Sequence, residues 1–534
     1  MKRLSQATAL FVCLMLVITL CCGCANRYDY PGGLNTYHIK IMVDTQTYTA
    51  QCVQSVEYTN QTDQTLKELY FNVYANAYES PETAPYERFQ WQNAYPNGFN
   101  EGNITFAAVR IDGEDTAYRI SGAGNTLMRI DIGELAPGEK TLVEMAYALK
   151  MPNSPGRYGY GQLGMNFGNC FPILCVYDGE NWVKEPYHRI GDPFYSEAAD
   201  YRVHVTLDSA WRLASSGYVE QAGGSEQSEY LINAPAVRDF AMVASPSLQH
   251  FSRDVQGTTV ESFAVQESQG RLALDYAQKA LKTFNALFGG YPYESLSVAE
   301  SNFFIGGMEY PNMVMVDTRL YDAGKEMELE YVVVHEVAHQ WWYGVVGNDQ
   351  VNEPWLDEAL SEYATLLYYK QNYGEEKMKE ICALFIEQDL QLARDYLVVE
   401  ERDGIGGRLD SFESNFSYNA LVYSKGALMF RELHEKYGDD LIRGLKIYYE
   451  QNRFKNASAQ QLFDALQQGV GVDCKPEIQE WLSGRSVDKG EQPKEQGSPV
   501  PSQDTATPPE TTDVPEPAGG GTDQGVIHPQ QDAA

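Results

Sequence analysis

Two histidines and two glutamates are spaced so that they could hold a metal ion and use it for hydrolysis. His335 and His339 flank Glu336 in the segment His-Glu-Val-Ala-His, and eighteen residues separate His339 from Glu358. Residues four apart on a helix project from the same face, so both imidazoles can bind one ion. Glu336 is turned far enough around the helix to reach a water instead of the metal. Glu358, on a second helix, completes the two-histidine, one-glutamate set typical of catalytic zinc, with a fourth position left open. The spacing predicts a zinc hydrolase with Glu336 as its general base.

A short motif of this kind also arises by chance, because a buried helix can carry a histidine that is merely hydrogen-bonded. This chain has 8 histidines among 534 residues, which makes a chance match uncommon. The position of Glu358 adds a condition that a chance match does not meet. We therefore favour the metal site over the structural alternative.

Two domains are expected to carry these residues. Residues 25–250 contain short runs of alternating apolar and polar residues separated by Gly, Pro and Asn turns, as in the segment 201–207. This pattern predicts an antiparallel β-sandwich-like domain. Residues 251–486 begin with apolar residues at helical spacing over 269–288, which predicts a helix that ends at Gly289. We expect this second part to be the catalytic domain.

The elements around the motif follow from the same patterns. Residues 296–299 and 313–316 read as short strands, and helices are expected to begin near Glu328 and Pro354. Helical patterns continue to Trp481. A mixed sheet beside two metal-bearing helices, followed by a helical lobe, describes a thermolysin-like α+β catalytic domain.

The first 24 residues have the features of an export signal. Lys2 and Arg3 precede an apolar run, and the run ends at Cys21-Cys22-Gly23-Cys24. This end resembles the lipobox of bacterial lipoproteins, with Cys24 as the lipidated residue, although Cys21 stands where leucine is usual. An ordinary cleaved signal and an uncleaved anchor are the alternatives. All three predict an exported protein, and the first predicts a bacterial membrane lipoprotein.

Residues 487–534 are dominated by Pro, Gly, Ser, Thr, Gln and acidic residues. Such a composition cannot bury enough apolar surface to offset the entropy of ordering, so we expect a disordered tail without a site.

The overall composition narrows the range of partners. A formal net charge of -34 argues against nucleic acid as a partner, because phosphate contacts require clustered Lys and Arg. The cysteines beyond the leader are too few and too scattered for a disulfide framework, and no pair has metal-binding spacing. Cys170 and Cys175 either pair across a loop or remain two free thiols.

Three motifs together resemble the aminopeptidase N family of zinc metallopeptidases, which belong to the gluzincins. The first is the metal motif with Glu358. The second is Gly306-Gly307-Met308-Glu309-Tyr310, which is similar to the family's Gly-Ala-Met-Glu-Asn segment. The third is Tyr423-Ser424-Lys425-Gly426-Ala427, which is similar to the family's Tyr-x-Lys-Gly-Ala segment. The resemblance covers roughly residues 28–484.

The resemblance implies a role for each motif. Glu309 is expected to bind the free α-amino group of a peptide, with Gly306, Gly307 and Met308 forming the adjacent substrate-binding backbone. Tyr423 is expected to donate a hydrogen bond to the oxyanion that forms during peptide cleavage. The expected cofactor is one Zn²⁺ per chain.

Glu362, one turn after Glu358, has two possible roles. It is either the acceptor that orients a ligand histidine or a surface glutamate.

Two departures from the family pattern matter. Tyr310 replaces the usual Asn and Gly307 replaces the usual Ala, so the pocket for the first side chain is expected to differ. The resemblance also implies a short form without the large C-terminal helical-repeat domain of many members. Because that domain often closes the active-site cavity, we expect a more open site.

The sequence thus predicts an exported zinc aminopeptidase that removes N-terminal residues from peptides. Two alternatives remain open. An endopeptidase would use the same chemistry in an open cleft, and a catalytically silent peptide-binding lipoprotein would carry the same residues without turnover.

Overall fold

The structure is a computed structural model, and it describes residues 28–396, 398–400 and 402–484. The leader expected at residues 1–24, with Cys24, and the tail expected at residues 487–534 lie outside the described residues. Among the residues described, no helix combines the length and the apolar character needed to cross a membrane.

Within the described residues, the N-terminal part is a β-domain with a short α-helix, α1 (Trp91–Ala94), and three 3-10 helices. Its strands are β1 (Thr36–Asp44), β2 (Thr49–Thr59), β3 (Leu66–Asn72), β4 (Asn103–Ile111), β5 (Glu114–Asp115), β6 (Tyr118–Ser121), β7 (Leu127–Leu135), β8 (Lys140–Lys150), β9 (Tyr158–Tyr160), β10 (Met165–Phe167), β11 (Ile173–Leu174), β12 (Ala199–Asp208), β13 (Arg212–Ser215), β14 (Tyr218–Gly223), β15 (Gln227–Val237) and β16 (Met242–Ser245).

One large sheet and two smaller ones make up this domain. The large sheet has eight strands in the order β14-β15-β12-β1-β2-β8-β4-β5, and the four-stranded sheets have the orders β13-β16-β10-β9 and β11-β3-β7-β6. Burial alternates along β1 and β2, so one face of the large sheet packs on the core and the other meets solvent. The pairing is antiparallel apart from β1 with β12, which is parallel. The β-domain predicted from the alternating runs is confirmed.

The C-terminal part combines a sheet with many helices. Its strands are β17 (Gln249–Val255), β18 (Thr258–Ala264), β19 (Ser295–Ser301), β20 (Gly307–Met308) and β21 (Met313–Asp317). Its α-helices are α2 (Glu267–Leu287), α3 (Glu326–Ala338), α4 (Trp355–Tyr373), α5 (Glu375–Ile381), α6 (Gln388–Asp395), α7 (Asn415–Tyr418), α8 (Gly426–Tyr437), α9 (Asp439–Asn452), α10 (Ala459–Val470) and α11 (Lys475–Ser483). Two π-helical turns occupy Cys382–Glu387 and Asn419–Lys425.

The sheet of this domain has the order β17-β18-β19-β21-β20, and it starts at Gln249, two residues before the expected domain boundary. Strands β19 and β21 are buried on both faces, as their apolar runs require. The short strand β20 lies at the edge and runs antiparallel to β21. Helices α3 and α4, which carry the metal motif, pack against each other. The thermolysin-like arrangement predicted from the sequence is confirmed.

Cys170 and Cys175 do not form a disulfide bond with each other. Both are buried free thiols. Cys175 lies 3.5 Å from the side-chain oxygen of Asn72 and acts there as a weak donor.

One buried arginine joins the two domains. Arg238, directly after β15, is 1% exposed. It donates to backbone carbonyls of the loop after α3, including Tyr343 at 2.8 Å, and of the segment after α9, including Lys455 at 2.5 Å. Another bond reaches Ser196 in its own domain. Burial lowers the pKa of Arg238. Its hydrogen bonds therefore tie the β-domain, the motif loop and the helical lobe together at one point.

Replacing Arg238 with alanine is expected to destabilise the protein strongly. The substitution leaves several buried carbonyls without a donor, which we expect to lower the free energy of unfolding by about 3 kcal/mol or more. Urea titration followed by tryptophan fluorescence measures this change.

Arg253→Ala is the matched control, because Arg253 is half-exposed and pairs with Asp275 at 2.6 Å on the surface. Its loss is expected to cost no more than about 1 kcal/mol. Equal effects of the two substitutions would contradict the role of Arg238 as the link between domains.

Candidate active site

Three side-chain atoms of the predicted metal motif converge on one point. The Nε2 atoms of His335 and His339 lie 3.1 Å apart, and Glu358 Oε2 lies 3.1 Å from His339 Nε2 and 3.6 Å from His335 Nε2. Helix α3 supplies His335, His339 caps its end, and α4 supplies Glu358 from its first turn. The structure thus brings the three residues predicted as metal ligands together.

The other ring nitrogens show which atoms are available for a metal. His339 Nδ1 lies 3.1 Å from the carbonyl oxygen of Trp342, and His335 Nδ1 lies 2.7 Å from Glu362 Oε2. A carbonyl and a carboxylate are acceptors, so each neutral imidazole keeps its proton on Nδ1. The lone pairs of both Nε2 atoms then face the carboxylate oxygen of Glu358. Three converging acceptors suit a cation, and a set of two imidazoles and one carboxylate suits zinc.

The pKa shifts in this cluster also favour a bound cation. Burial lowers the pKa of His335, but its hydrogen bonds to Glu358 and Glu362 raise it well above its usual value. The pKa of His339 is raised to about 9, because the charge of Glu358 outweighs the effect of burial. Burial opposes ionisation of Glu358, yet the two histidines lower its pKa to about 2. Positive charge is therefore favoured at this point of the structure.

Glu362 lies against one of the predicted ligands. The structure places it fully buried against His335, and its other oxygen accepts a hydrogen bond from Tyr331. Glu362 is therefore not a surface glutamate, and its contact with His335 Nδ1 is compatible with the predicted orienting role.

Glu336 lies beside the cluster with one oxygen free. Its Oε2 is buried and has no hydrogen-bond partner among the residues described. Burial raises the pKa of Glu336 to about 8 against the opposing effect of His335. A carboxylate with a raised pKa and an unused oxygen can accept and release a proton.

Gly307 makes room for this carboxylate. A Cβ atom at Gly307 would lie 2.2 Å from Glu336 Oε1, so any larger residue would displace the glutamate. The sequence suggested that Gly306 and Gly307 let the backbone approach a substrate. The structure shows that Gly307 lets the edge strand approach Glu336, and that Gly306 adopts a φ of +84°, which favours glycine. The approach of this backbone to a substrate stays a prediction.

Tyr423 contacts two of the predicted metal ligands. Its hydroxyl donates to Glu358 Oε1, and its ring stacks on the His335 ring with 5.7 Å between centroids. The residue belongs to the π-helical turn Asn419–Lys425, a deviation that often occurs at functional sites. The structure therefore brings Tyr423 to the metal ligands.

Glu309 follows β20 directly and is 4% exposed. The side-chain nitrogen of Gln350 lies 3.4 Å from Glu309 Oε1. Burial, together with the charge of Asp192, raises the pKa of Glu309 to about 7. Oxygen atoms of Glu309, Asp192 and Glu358 all lie within 4.8 Å of one another, so Glu309 shares one enclosed space with the metal ligands.

Several residues of the site were not identified from the sequence. Asp192 forms a buried ion pair with Arg157, and Asp357 accepts hydrogen bonds from Asn348 at 3.1 Å and Gln350 at 2.6 Å. Asp192 lies in the loop before β12, in the segment Gly-Asp-Pro-Phe-Tyr of residues 191–195. Arg157 and Gln350 gave no signal, because they stand in loops without a motif.

The site is more enclosed than expected. The sequence led us to expect an open cleft, but the side chains of the metal motif, Glu309 and Tyr423 are at most 4% exposed. The edge strand, the π-helical turn and the loop that carries Asp192 surround them. Closure by these segments does not require a further domain.

Part of the catalytic domain is similar to known peptidases. Residues 272–481 match the peptidase family M1 domain. Aminopeptidase 2 of Candida albicans is 26% identical over 228 residues, which cover 40% of this chain and 24% of that protein. Aminopeptidase N of Lactobacillus helveticus is 27% identical over 223 residues, which cover 39% of this chain and 26% of that protein. The match thus spans about a quarter of the length of these curated relatives.

Solved structures extend the likeness to the β-domain. An M1 zinc metallopeptidase from Deinococcus radiodurans has a TM-score of 0.59 and 17% identity, with 87% of this chain and 95% of that chain covered. A mutant of a two-domain M1 zinc metallopeptidase bound to L-arginine has a TM-score of 0.60 and 17% identity, with 86% and 96% covered. These structures share the fold. Residues 272–481 are thus similar to the peptidase family M1 domain, and the resemblance to the aminopeptidase N family is confirmed.

Removing the carboxylate of Glu362 is expected to weaken metal binding. Without it His335 loses the acceptor that fixes its orientation, so Glu362→Ala should lower zinc affinity about 10- to 100-fold. Competition with a fluorescent zinc chelator measures the affinity.

Tyr331→Phe is the control, because it removes the hydroxyl that binds Glu362 but keeps the carboxylate beside His335. Its zinc affinity is expected to stay within about threefold of the unmodified protein, since the orienting acceptor survives. Unchanged affinity in Glu362→Ala would show that the position of Glu362 has no bearing on the metal.

Proposed function

We propose that this protein is a zinc aminopeptidase, which hydrolyses the first peptide bond of peptides with a free N-terminus. The observation that carries the proposal is the placement of Glu309 in the same enclosed space as the metal ligands and Glu336. A carboxylate there can pair with an α-ammonium group at a fixed distance from the site of hydrolysis. The names of the curated relatives support this assignment.

One zinc ion per chain is proposed at His335, His339 and Glu358. When bound, zinc supplies Lewis-acid polarisation of the scissile carbonyl and of the attacking water. The fit rests on the two Nε2 lone pairs and the carboxylate oxygen that converge there.

Glu336 is the proposed general base and acid. Its free Oε2 takes a proton from the attacking water, and the same carboxyl returns a proton to the departing amine. Burial raises the pKa of Glu336 to about 8, which is near neutral pH. A group with such a pKa can both accept a proton from water and donate it to the amine. The enclosure of the site excludes bulk water that would compete for this proton.

Tyr423 is the proposed oxyanion donor. Its hydroxyl already points at the ligand cluster through Glu358, so a small rotation brings the proton to an oxygen bound nearby. Burial raises the pKa of Tyr423 well above its usual value, which keeps the phenol protonated and able to donate.

Glu309 is the proposed anchor for the substrate amine. An ammonium group placed against it would also lie near Asp192, so two carboxylates surround one positive charge. A chain that continued in both directions would place a neutral amide against these carboxylates. This is why we propose exopeptidase rather than endopeptidase activity.

The proposed location is outside the cytoplasm. The basic residues Lys2 and Arg3, the apolar run after them and the lipobox-like end at Cys24 support export, with a lipid on Cys24 as membrane anchor. Peptides outside the cell membrane would then be the substrates.

Glu336→Gln is expected to abolish turnover and retain zinc, because the amide cannot accept the proton while the metal ligands are intact. A mixed peptide library incubated with the unmodified protein should lose residues stepwise from free N-termini, and acetylated peptides should resist. Mass spectrometry identifies the products. Elemental analysis measures the zinc content of the unmodified protein and of Glu336→Gln.

The outcomes separate the three candidate functions. Internal cleavage would indicate an endopeptidase. Absence of any cleavage by zinc-loaded protein would indicate a peptide-binding lipoprotein, and turnover in Glu336→Gln would disprove the assigned base.

Tyr423→Phe is expected to lower kcat about 100- to 1000-fold, the usual loss when an oxyanion donor is removed. The Michaelis constant should change little, since the hydroxyl acts where charge develops. Steady-state kinetics on a dipeptide amide measures both constants. Tyr418→Phe is the control, because Tyr418 packs against the Tyr423 ring at 5.7 Å and is assigned no donor role. Equal losses in the two variants would assign the effect to packing.

A further inference from the structure

The residue after Glu309 is fastened to the β-domain. The hydroxyl of Tyr310 donates a 2.6 Å hydrogen bond to Asn169 Oδ1, and the Tyr310 side chain is fully buried. Tyr310 belongs to the edge segment of the catalytic sheet, whereas Asn169 lies in the loop after β10. The bond therefore crosses from one domain to the other immediately beside the proposed amine anchor.

The β-domain is shaped to receive this hydroxyl. Asn169 Nδ2 donates to Asp239 Oδ2 at 2.6 Å, which fixes the amide so that its oxygen faces Tyr310. Asn169 has a φ of +51°, a conformation that asparagine tolerates better than most residues. A Cβ atom at the preceding Gly168 would lie 2.0 Å from the Tyr310 hydroxyl oxygen. Asn169, Asp239 and Gly168 therefore together accommodate the hydroxyl of a tyrosine at position 310.

The residue before Glu309 is fastened to the same domain. Arg157 Nε donates to Met308 Sδ at 3.1 Å, and the same guanidinium pairs with Asp192. On the other side, Gln340 at the end of the metal motif donates to the Tyr310 carbonyl at 3.1 Å. The two neighbours of Glu309, Met308 and Tyr310, therefore both contact the β-domain through their side chains. The backbone of Tyr310 also contacts Gln340, directly after the predicted metal motif.

We propose that Tyr310 is a positioning residue that sets the affinity of Glu309 for the substrate amine by fastening the edge strand to the β-domain. The inference rests on the proposed function of Glu309. Tyr310 itself reaches away from the ligands towards Asn169, so its effect passes through the backbone that it shares with Glu309. Without the hydroxyl bond, the segment after β20 keeps its contact with Gln340 but loses its link to the β-domain. Glu309 then holds an ammonium group less tightly, because an ion pair weakens with distance and with the entry of water.

The test compares two inhibitors that differ by one amino group. Leucine hydroxamate and isocaproyl hydroxamate share the zinc-binding group and the side chain, and only the first carries an α-amine. Isothermal titration calorimetry on the full zinc-loaded protein gives both dissociation constants, and their ratio measures the contribution of the amine. In Tyr310→Phe we expect this ratio to fall about tenfold, with the affinity for isocaproyl hydroxamate unchanged.

Asn169→Gly provides a second variant, because glycine adopts the positive φ at this position and removes the amide that receives the hydroxyl. It is expected to lower the ratio as Tyr310→Phe does, and the double variant should show no further loss. If Tyr310→Phe does not fold, Asn169→Gly alone decides.

Tyr293→Phe is the matched control. Tyr293 is also buried in the catalytic domain and donates across the domain boundary, to the Ala236 carbonyl at 2.8 Å, but it does not touch the strand of Glu309. In Tyr293→Phe, the ratio of the dissociation constants of the two hydroxamates is expected to equal that of the unmodified protein.

Each outcome has one meaning. An unchanged ratio in Tyr310→Phe, or an equal fall in Tyr293→Phe, overturns the positioning role. If the unmodified protein binds both hydroxamates equally, the amine-binding role of Glu309 fails, and with it the proposed function.

Discussion

Negative charge buried in a small volume is the constraint on which this catalytic domain depends. Six carboxylates of the site are at most 4% exposed, namely those of Asp192, Glu309, Glu336, Asp357, Glu358 and Glu362. Removing an ion of this kind from water costs several kcal/mol even after the surroundings relax. Arg157 pairs with Asp192, and the two imidazoles face Glu358 and Glu362. The remaining charge gives the site an affinity for cations, which zinc and an ammonium group would both satisfy.

The surrounding fold can be understood as the scaffold that keeps these groups together. Helix α3 presents two imidazoles on one face, and α4 packs against it so that Glu358 and Glu362 reach the same rings. The doubly buried strands β19 and β21 support the edge strand that carries Glu309. The β-domain closes the other side through Arg157 and Asp192. No single element contains the site, and its geometry depends on the packing between them.

Much of this arrangement could be predicted from the sequence because the strongest signals are local. His335, Glu336 and His339 lie within five residues on one helix, so their common face follows from helical geometry alone. Local patterns also predicted other elements. The apolar runs predicted strands β19 and β21, and the helical spacing of apolar residues predicted α2. Glu358 needed only the position of a second helix. The family likeness added Glu309 and Tyr423, whose motifs are short but distinctive.

The residues that were missed reach the site across long sequence separations. Arg157 contacts Met308 over 151 positions, and no periodicity or spacing in the chain signals such a contact. The π-helical turn of Tyr423 was also hidden, since its sequence has the spacing of an ordinary helix. The enclosure of the site was not predicted, because the expectation of an open site rested on the family likeness and not on the loops around the site. Local patterns thus define the reacting groups, while tertiary packing defines their surroundings.

The hydrogen bonds of Arg238 have a consequence for the order in which the chain becomes active. The Lys455 carbonyl stands 217 positions after the guanidinium that it receives, and the Tyr343 carbonyl stands 105 positions after it. During synthesis the β-domain emerges first, with this charge still hydrated. The guanidinium can make all of these hydrogen bonds only after the helical lobe has been synthesised, so we expect the two domains to join late. A nascent chain that already contains every proposed zinc ligand would still lack the segments that enclose the candidate site. The proposed peptidase activity would then begin only after translation has passed Lys455, the last of these partners of Arg238.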